Sequence, residues 1–143
     1  MRCESIMTAE VETVRSGDTV TEAARKMRDL NIGFLPVCDR DGVVDGVITD
    51  RDIAMRVVAE RRSASTKVDD VMTSDVVACS PDDDVARAEE LMRVNQKSRI
   101  VCIDDDGRLA GIISTADLVR YEDERRAAEV ISDVTEREAS GPH

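Results

Sequence analysis

The segment from Ile6 to Ile53 returns without a gap as Val71 to Leu118, and this internal repeat constrains the chain more than any single residue does. Met7 answers to Met72, Gly46 to Gly111 and Asp52 to Asp117, all at one constant offset. Two copies of so long a period do not make a solenoid, which buries a continuous core only by stacking three or more units. They make two halves packed on each other. The pseudo-symmetric seam between them is where a ligand is expected.

The 143 residues suffice for one compact unit that buries roughly two-thirds of its unfolded surface. Apolar runs are too short to cross a bilayer, and no basic segment followed by an apolar run marks a signal peptide. A cytoplasmic protein without membrane contact is expected. The formal charge of −11 repels phosphate backbones, which argues against nucleic acid as a partner. A small anionic ligand stays open, because a few aimed N–H groups and one or two arginines make a local positive pocket. Phe34 and Tyr121 are the only aromatic residues, so the core must be aliphatic. Cys3, Cys38, Cys79 and Cys102 show no C-x-x-C pairing. Cys79 and Cys102 stand at the repeat positions of Val14 and Val37. They read as small buried apolar residues rather than metal or redox groups.

Each repeat reads as strand, helix, strand, strand, helix. Val11 to Val14 and Val76 to Cys79 are the first strands. Thr19 and Glu22 have the spacing of a capping box ahead of Val20, Ala23, Ala24, Met27 and Leu30 at helical period. The twin helix starts in Asp82, Asp83 and Asp84 and runs through Val85, Ala88, Leu91 and Met92. Phe34 to Cys38 and Arg99 to Ile103 are strands whose turns, ending at Gly42 and Gly107, lead into Val43 to Ile48 and Leu109 to Ile113. The acidic turns lack the spacing of an EF-hand loop and read as Asp-Gly turns. Second helices follow from about Arg51 to Glu60 and from Ala116 onward. Repeat one is placed at 5–62, a linker at 63–66, repeat two at 67–121, and a charged tail at 122–143. That tail either extends the last helix toward a partner or frays; fraying is the favoured reading, and Ser140 to His143 are expected to be disordered.

The strings Gly46-Val-Ile-Thr-Asp-Arg-Asp52 and Gly111-Ile-Ile-Ser-Thr-Ala-Asp117 carry the chemistry. In each, a hydroxyl residue ends a strand and an aspartate follows on the first helical turn. One use is a helix cap, with Thr49 or Ser114 accepting an N–H and Asp52 or Asp117 reaching back, worth about 1 kcal/mol. The other uses the same helix start to attract a phosphate, with the carboxylate accepting from ribose hydroxyls. Two copies in register favour the ligand.

With the Met-Thr pairs at Met7-Thr8 and Met72-Thr73, the Leu35-Pro36-Val37 strand and both Asp-Gly turns, these strings resemble tandem cystathionine β-synthase (CBS) domains, often called a Bateman module. The chain is most similar to stand-alone bacterial CBS-pair proteins. The resemblance implies an α+β fold of two βαββα repeats about a pseudo-twofold axis, with two clefts that each mix both repeats and bind an adenosine nucleotide (AMP, ADP or ATP). One cleft would use Thr49 for phosphate and Asp52 for ribose, with the base near Val76, Val77 and the backbone of Lys97, Ser98 and Arg99. The other would use Ser114 and Asp117, with the base near Val11, Glu12 and Ile32, Gly33 and Phe34. Apolar residues such as Ile32, Val47 and Ile112 would flank adenine. Arg51 can reach phosphate, but Ala116 replaces it in the second copy; Arg99 stands where the first copy has Phe34. The clefts are therefore unequal. The resemblance also implies a homodimer, with its protein partner unknown.

The implied function is a regulatory sensor that changes conformation or assembly on binding a nucleotide. The alternative is a constitutive dimeric interaction module with no ligand. Catalysis is not expected: His143, the one histidine, is the last residue, and no nucleophile stands beside a base. No catalytic residue, catalytic cofactor or metal is assigned.

Overall fold

The computed structural model describes the backbone of residues 1–139 and the side chains of residues 1–132. The expected disorder of Ser140 to His143 lies outside the described residues. Helix α1 (Val20–Leu30) forms because Thr19 and Glu22 close the capping box in both directions and Val20, Ala23 and Met27 fall on one buried stripe. It stops at Asn31, which turns left-handed at φ 53°, and its twin α3 (Val85–Asn95) stops the same way at Gln96, φ 52°. Asp84 caps α3 by accepting the amide of Ala86. Leu30, expected on the apolar stripe of α1, is instead 45% exposed.

Strands β1 (Phe34–Cys38) and β2 (Val44–Thr49) form one antiparallel hairpin. In the other half, β3 (Ala78–Cys79) runs parallel to β4 (Arg99–Ile103), which pairs antiparallel with β5 (Leu109–Ser114). Both hairpin turns are Asx turns: Asp39 Oδ1 accepts from Asp41 and Val43, and Asp104 Oδ1 from Asp106 and Arg108. Gly42 and Gly107 close them at φ 84° and 79°, where a side chain would be strained.

The first strand of each repeat is shorter than its sequence suggests, and Pro36 explains the difference between the copies. Val14 makes one parallel bridge to Val37, donating to Pro36 O and accepting from Cys38 N. The next bond toward the N-terminus would need an N–H from Pro36, which has none. Val101 holds the equivalent position in the second half and donates to Val77 O at 3.3 Å, so β3 gains a second residue.

The short lead before each repeat packs on the opposite half. Cys3 and Glu4 amides donate to Asp83 and Pro81 carbonyls, Met1 O accepts from Val85, and Thr8 bridges Ile112 on the edge of β5. The mirror set joins Val68 to Asp18, Thr66 to Val20 and Thr73 to Val47 on the edge of β2. One core accordingly holds Val68 and Val71 with Val14, Leu35, Val37 and Ile48, and the other holds Cys3 with Cys79, Ile100, Cys102 and Ile113. Gly46 and Gly111 admit these leads: a Cβ there would lie 2.7 Å from Thr73 O or Thr8 O respectively. The halves also meet at their turns, where Val44 donates to Gly107 O and Leu109 to Gly42 O.

Helix α2 (Asp50–Ile53) does not continue as the plain α-helix expected to Glu60; it widens into a π turn over Ala54–Val58, with Ala59 N donating to Ala54 O. The widening leaves Val57 buried and sends Arg56 across to the carbonyls of Val71 and Met72, at 2.9 and 3.2 Å. Helix α4 (Thr115–Ala139) continues past Tyr121 through the charged stretch as far as Ala139.

Candidate functional site

The two capping strings face into two clefts, each lined by both repeats. The first, about 490 Å³, gathers Thr49, Asp50, Arg51, Asp52 and Arg56 from the end of β2 and α2. Opposite stand Thr73, Asp75, Val76 and Val77 and the stretch Lys97, Ser98 and Arg99, with Val47, Gly33 and Phe34 completing the lining. The second, about 380 Å³, gathers Ser114 and Asp117 with Ile112, Ile32, Leu30, Thr8, Glu10, Val11 and Glu12. Both volumes suit a ligand of nucleoside size. Phe34 and Arg99, repeat equivalents of each other, line both clefts.

In the first cleft the cap is fully formed. Thr49 Oγ1 accepts from Asp52 N at 3.1 Å, and Asp52 Oδ2 accepts from Thr49 N at 3.0 Å. Asp52 is largely buried, with Thr73 Oγ1 at 3.5 Å and the Arg56 guanidinium at 3.8 Å from its other oxygen. In the second, Asp117 Oδ2 accepts from the Ser114 amide and hydroxyl at 2.8 and 3.0 Å, while Arg120 pairs with Oδ1. Asp117 is the one buried charged side chain among the described residues.

The clefts differ in charge. Arg51, Arg56, Lys97 and Arg99 offset Asp50, Asp52 and Asp75 in the first, whereas the lining of the second sets Glu10, Glu12 and Asp117 against Arg99, with Arg120 already paired to Asp117 from behind the lining. The difference follows from the repeat positions: Arg51 has Ala116 as its mate, Lys97 has Ile32, and Val77 has Glu12.

All the residues singled out in the sequence border a cleft. Gly33, expected beside the second, instead lines the first, where the Asp50 carboxylate packs on it so closely that a Cβ would lie 2.6 Å away. Sequence reasoning placed none of Thr8, Glu10, Leu30, Asp50, Arg56, Thr73 and Asp75 at a cleft. Thr8 with Thr73, and Glu10 with Asp75, are repeat mates, and that correspondence was the signal that could have found them.

A duplicated strand–helix–hairpin–helix unit with a capped hydroxyl–aspartate string at each cleft defines a tandem repeat pair with two inter-repeat clefts. The profile of the CBS domain matches residues 3–59 and 68–124, and the chain belongs to the CBS domain family. The CBS domain-containing protein YhcV of Bacillus subtilis is 38% identical over 112 residues, covering 78% of this chain and 79% of YhcV. The crystal structure of Hypoxic Response Protein I with two coordinated zinc ions superposes at a TM-score of 0.76 and 30% identity, over 84% of this chain and 98% of that one. The CBS domain pair of protein MJ0100, solved in complex with 5′-methylthioadenosine and S-adenosyl-L-methionine, superposes at 0.75 and 27% identity, over 85% and 98%. Among the described residues no helix is long and apolar enough to cross a membrane, and no group of three or more His, Cys, Asp or Glu is arranged to hold a metal ion.

Proposed function

We propose that the protein is a regulatory sensor whose inter-repeat clefts take adenosine-containing ligands. The observation that carries this reading is the pairing of a hydroxyl and a largely buried carboxylate at the mouth of each cleft, Thr49 with Asp52 and Ser114 with Asp117. A ribose diol donates well to such a carboxylate, and a phosphate suits the adjacent amides and the Thr49 hydroxyl. The four basic residues of the first cleft suit AMP, ADP or ATP, with Arg51 and Arg99 toward phosphate, Val47 and Val77 flanking the base, and the Lys97 to Arg99 backbone reading its edge. The acidic wall of the second suits a nucleoside with little negative charge, seated between Ile32 and Ile112. The adenosine derivatives held by the MJ0100 pair support this class of ligand.

Ligand binding acts on assembly only through a difference in affinity between two states. A second copy of the chain is the proposed partner, supported by exposed Met55 and Val58 on the π turn and Val119 on α4. The setting is proposed to be cytoplasmic and the role non-catalytic. Titration of thermal stability with AMP, ADP, ATP, S-adenosylmethionine and NAD tests the sensor. One site at a hundredfold excess over Kd adds about 2.7 kcal/mol. Stability unmoved by all five, with the same mass in solution throughout, would leave the strings as caps and the chain as a constitutive interaction module.

A further inference from the structure

Three positions that meet in the core are valines in one half and cysteines in the other. Val68, Val14 and Val37 occupy the first core; their repeat mates Cys3, Cys79 and Cys102 occupy the second. The first half shows that valine fills this space, so packing alone does not call for sulfur at all three places. The sulfurs also stand within reach of one another. Cys79 and Cys102 are direct partners across the parallel β3–β4 pair, and their Sγ atoms lie 3.2 Å apart. Neighbouring strands run about 4.8 Å apart, within the Cα separation a disulfide spans. Cys3 lies beside Cys79, while Cys38 belongs to neither core cluster.

We propose that Cys79 and Cys102 are a modification site, oxidised by a peroxide to an intramolecular disulfide that ties β3 to β4. The Cys79 thiolate attacks one peroxide oxygen and breaks the O–O bond, giving a sulfenic acid and releasing hydroxide. Cys102 sulfur then attacks Cys79 Sγ and displaces the second hydroxide. The two thiol protons and the two hydroxides leave as two waters, and the two sulfurs together lose two electrons. Both sulfurs are buried, so a peroxide reaches them through local opening of β3, a two-residue outer strand whose bonds to β4 are few. The hydrogen bond to Cys102, and then burial, push the Cys79 thiol above its ordinary range. Oxidation is therefore slow at neutral pH and quickens as pH rises. The bond would fix the strands that lead from Val76 and Val77 and from Ser98 and Arg99, the far wall of the first cleft.

The test treats the full reduced chain with hydrogen peroxide between pH 7 and 9 (about the range over which a thiol exposed by opening of the edge strand ionises), without nucleotide, so that its outcome is independent of the sensor reading. Alkylation under denaturing conditions and peptide mass mapping follow. The expected result is one linked pair, Cys79 with Cys102, lighter by two hydrogens and reversed by dithiothreitol, with Cys38 alkylated. Closing that loop raises Tm on the order of 10 °C. Cys102→Val abolishes the link, and the Cys3→Val, Cys79→Val, Cys102→Val chain, which copies the other core, does not respond. Unlinked peptides across the whole pH range in the wild-type map would overturn the proposal. So would stoichiometric zinc in the reduced protein that is released when these thiols are blocked, since that would assign them to a metal.

Discussion

Gly46→Ala and Gly111→Ala probe the exchange of leads directly, because in an ordinary strand the same change is neutral or favourable. At Gly46 the new Cβ would lie 2.7 Å from Thr73 O, where ordinary contact begins near 3.4 Å, so the lead must retreat by about 0.7 Å. Met72 Sδ, 2.9 Å away, can swing aside; the carbonyl cannot. Retreat stretches both bonds of the bridge, Val47 N to Thr73 O at 2.9 Å and Thr73 N to Val47 O at 2.8 Å, beyond useful length. Two weakened hydrogen bonds at about 1 kcal/mol each and about 1 kcal/mol of overpacking are offset by roughly 0.4–1 kcal/mol from the stiffer unfolded chain. The net loss is about 2 kcal/mol. Gly111 meets Thr8 O and Met7 in the same way, so its substitution should cost a similar amount. Gly17, with nothing within 4 Å and no positive φ, is the control. Urea unfolding followed by circular dichroism should show midpoints lowered on the order of 1 M for the two strand variants and unchanged or raised for Gly17→Ala. Strand variants as stable as Gly17→Ala would refute the packing of the leads.

Asp52→Asn keeps an acceptor for the Thr49 amide, so it should cost less than about 1 kcal/mol in the absence of ligand, yet remove any stabilisation by AMP; an unchanged AMP response would move ribose recognition elsewhere. Arg56→Ala should cost about 1 kcal/mol, since its guanidinium is half-exposed where it holds the Val71 and Met72 carbonyls, and hydrogen exchange should quicken at Val71 to Thr73. The reduced protein should lose stability in alkali. Burial first, and then its neighbours, push Cys3 from 9.0 up to about 12, and burial with Asp45 and Asp39 pushes Cys38 up to about 11. The stabilising difference is intact below the unfolded thiol value and drains away as pH climbs from about 9 through those folded values. Thermal melts of a chain with valine at Cys3, Cys79 and Cys102 should be flatter with pH over that range.

The repeat made much of the architecture legible, because a period detected once is checked at every paired residue. Thr19 with Glu22, both Asx turns and both hydroxyl–aspartate caps are local interactions whose partners lie within four residues, and sequence spacing reports such contacts directly. What escaped was non-local. Strand pairing of Val11 to Thr13 fails for want of one N–H on Pro36, a residue read only as part of a strand. The π turn after Ile53 sets Arg56 against a segment fifteen or more positions away. Most cleft linings were found through the two strings and the resemblance they carry, whereas Glu10 and Asp75 carry no motif and stand at the mouths only because the leads cross over.

That crossing sets the order in which the protein can be made. Residues 1–8 leave the ribosome well before their seat against Pro81, Asp83 and Ile112 has been synthesised. The first half, meanwhile, lacks Val68 and Val71 until the linker has emerged. A half cut out at the linker would lose the lead that completes its core, and a nascent chain stalled midway should expose an unfinished aliphatic core to chaperones and proteases.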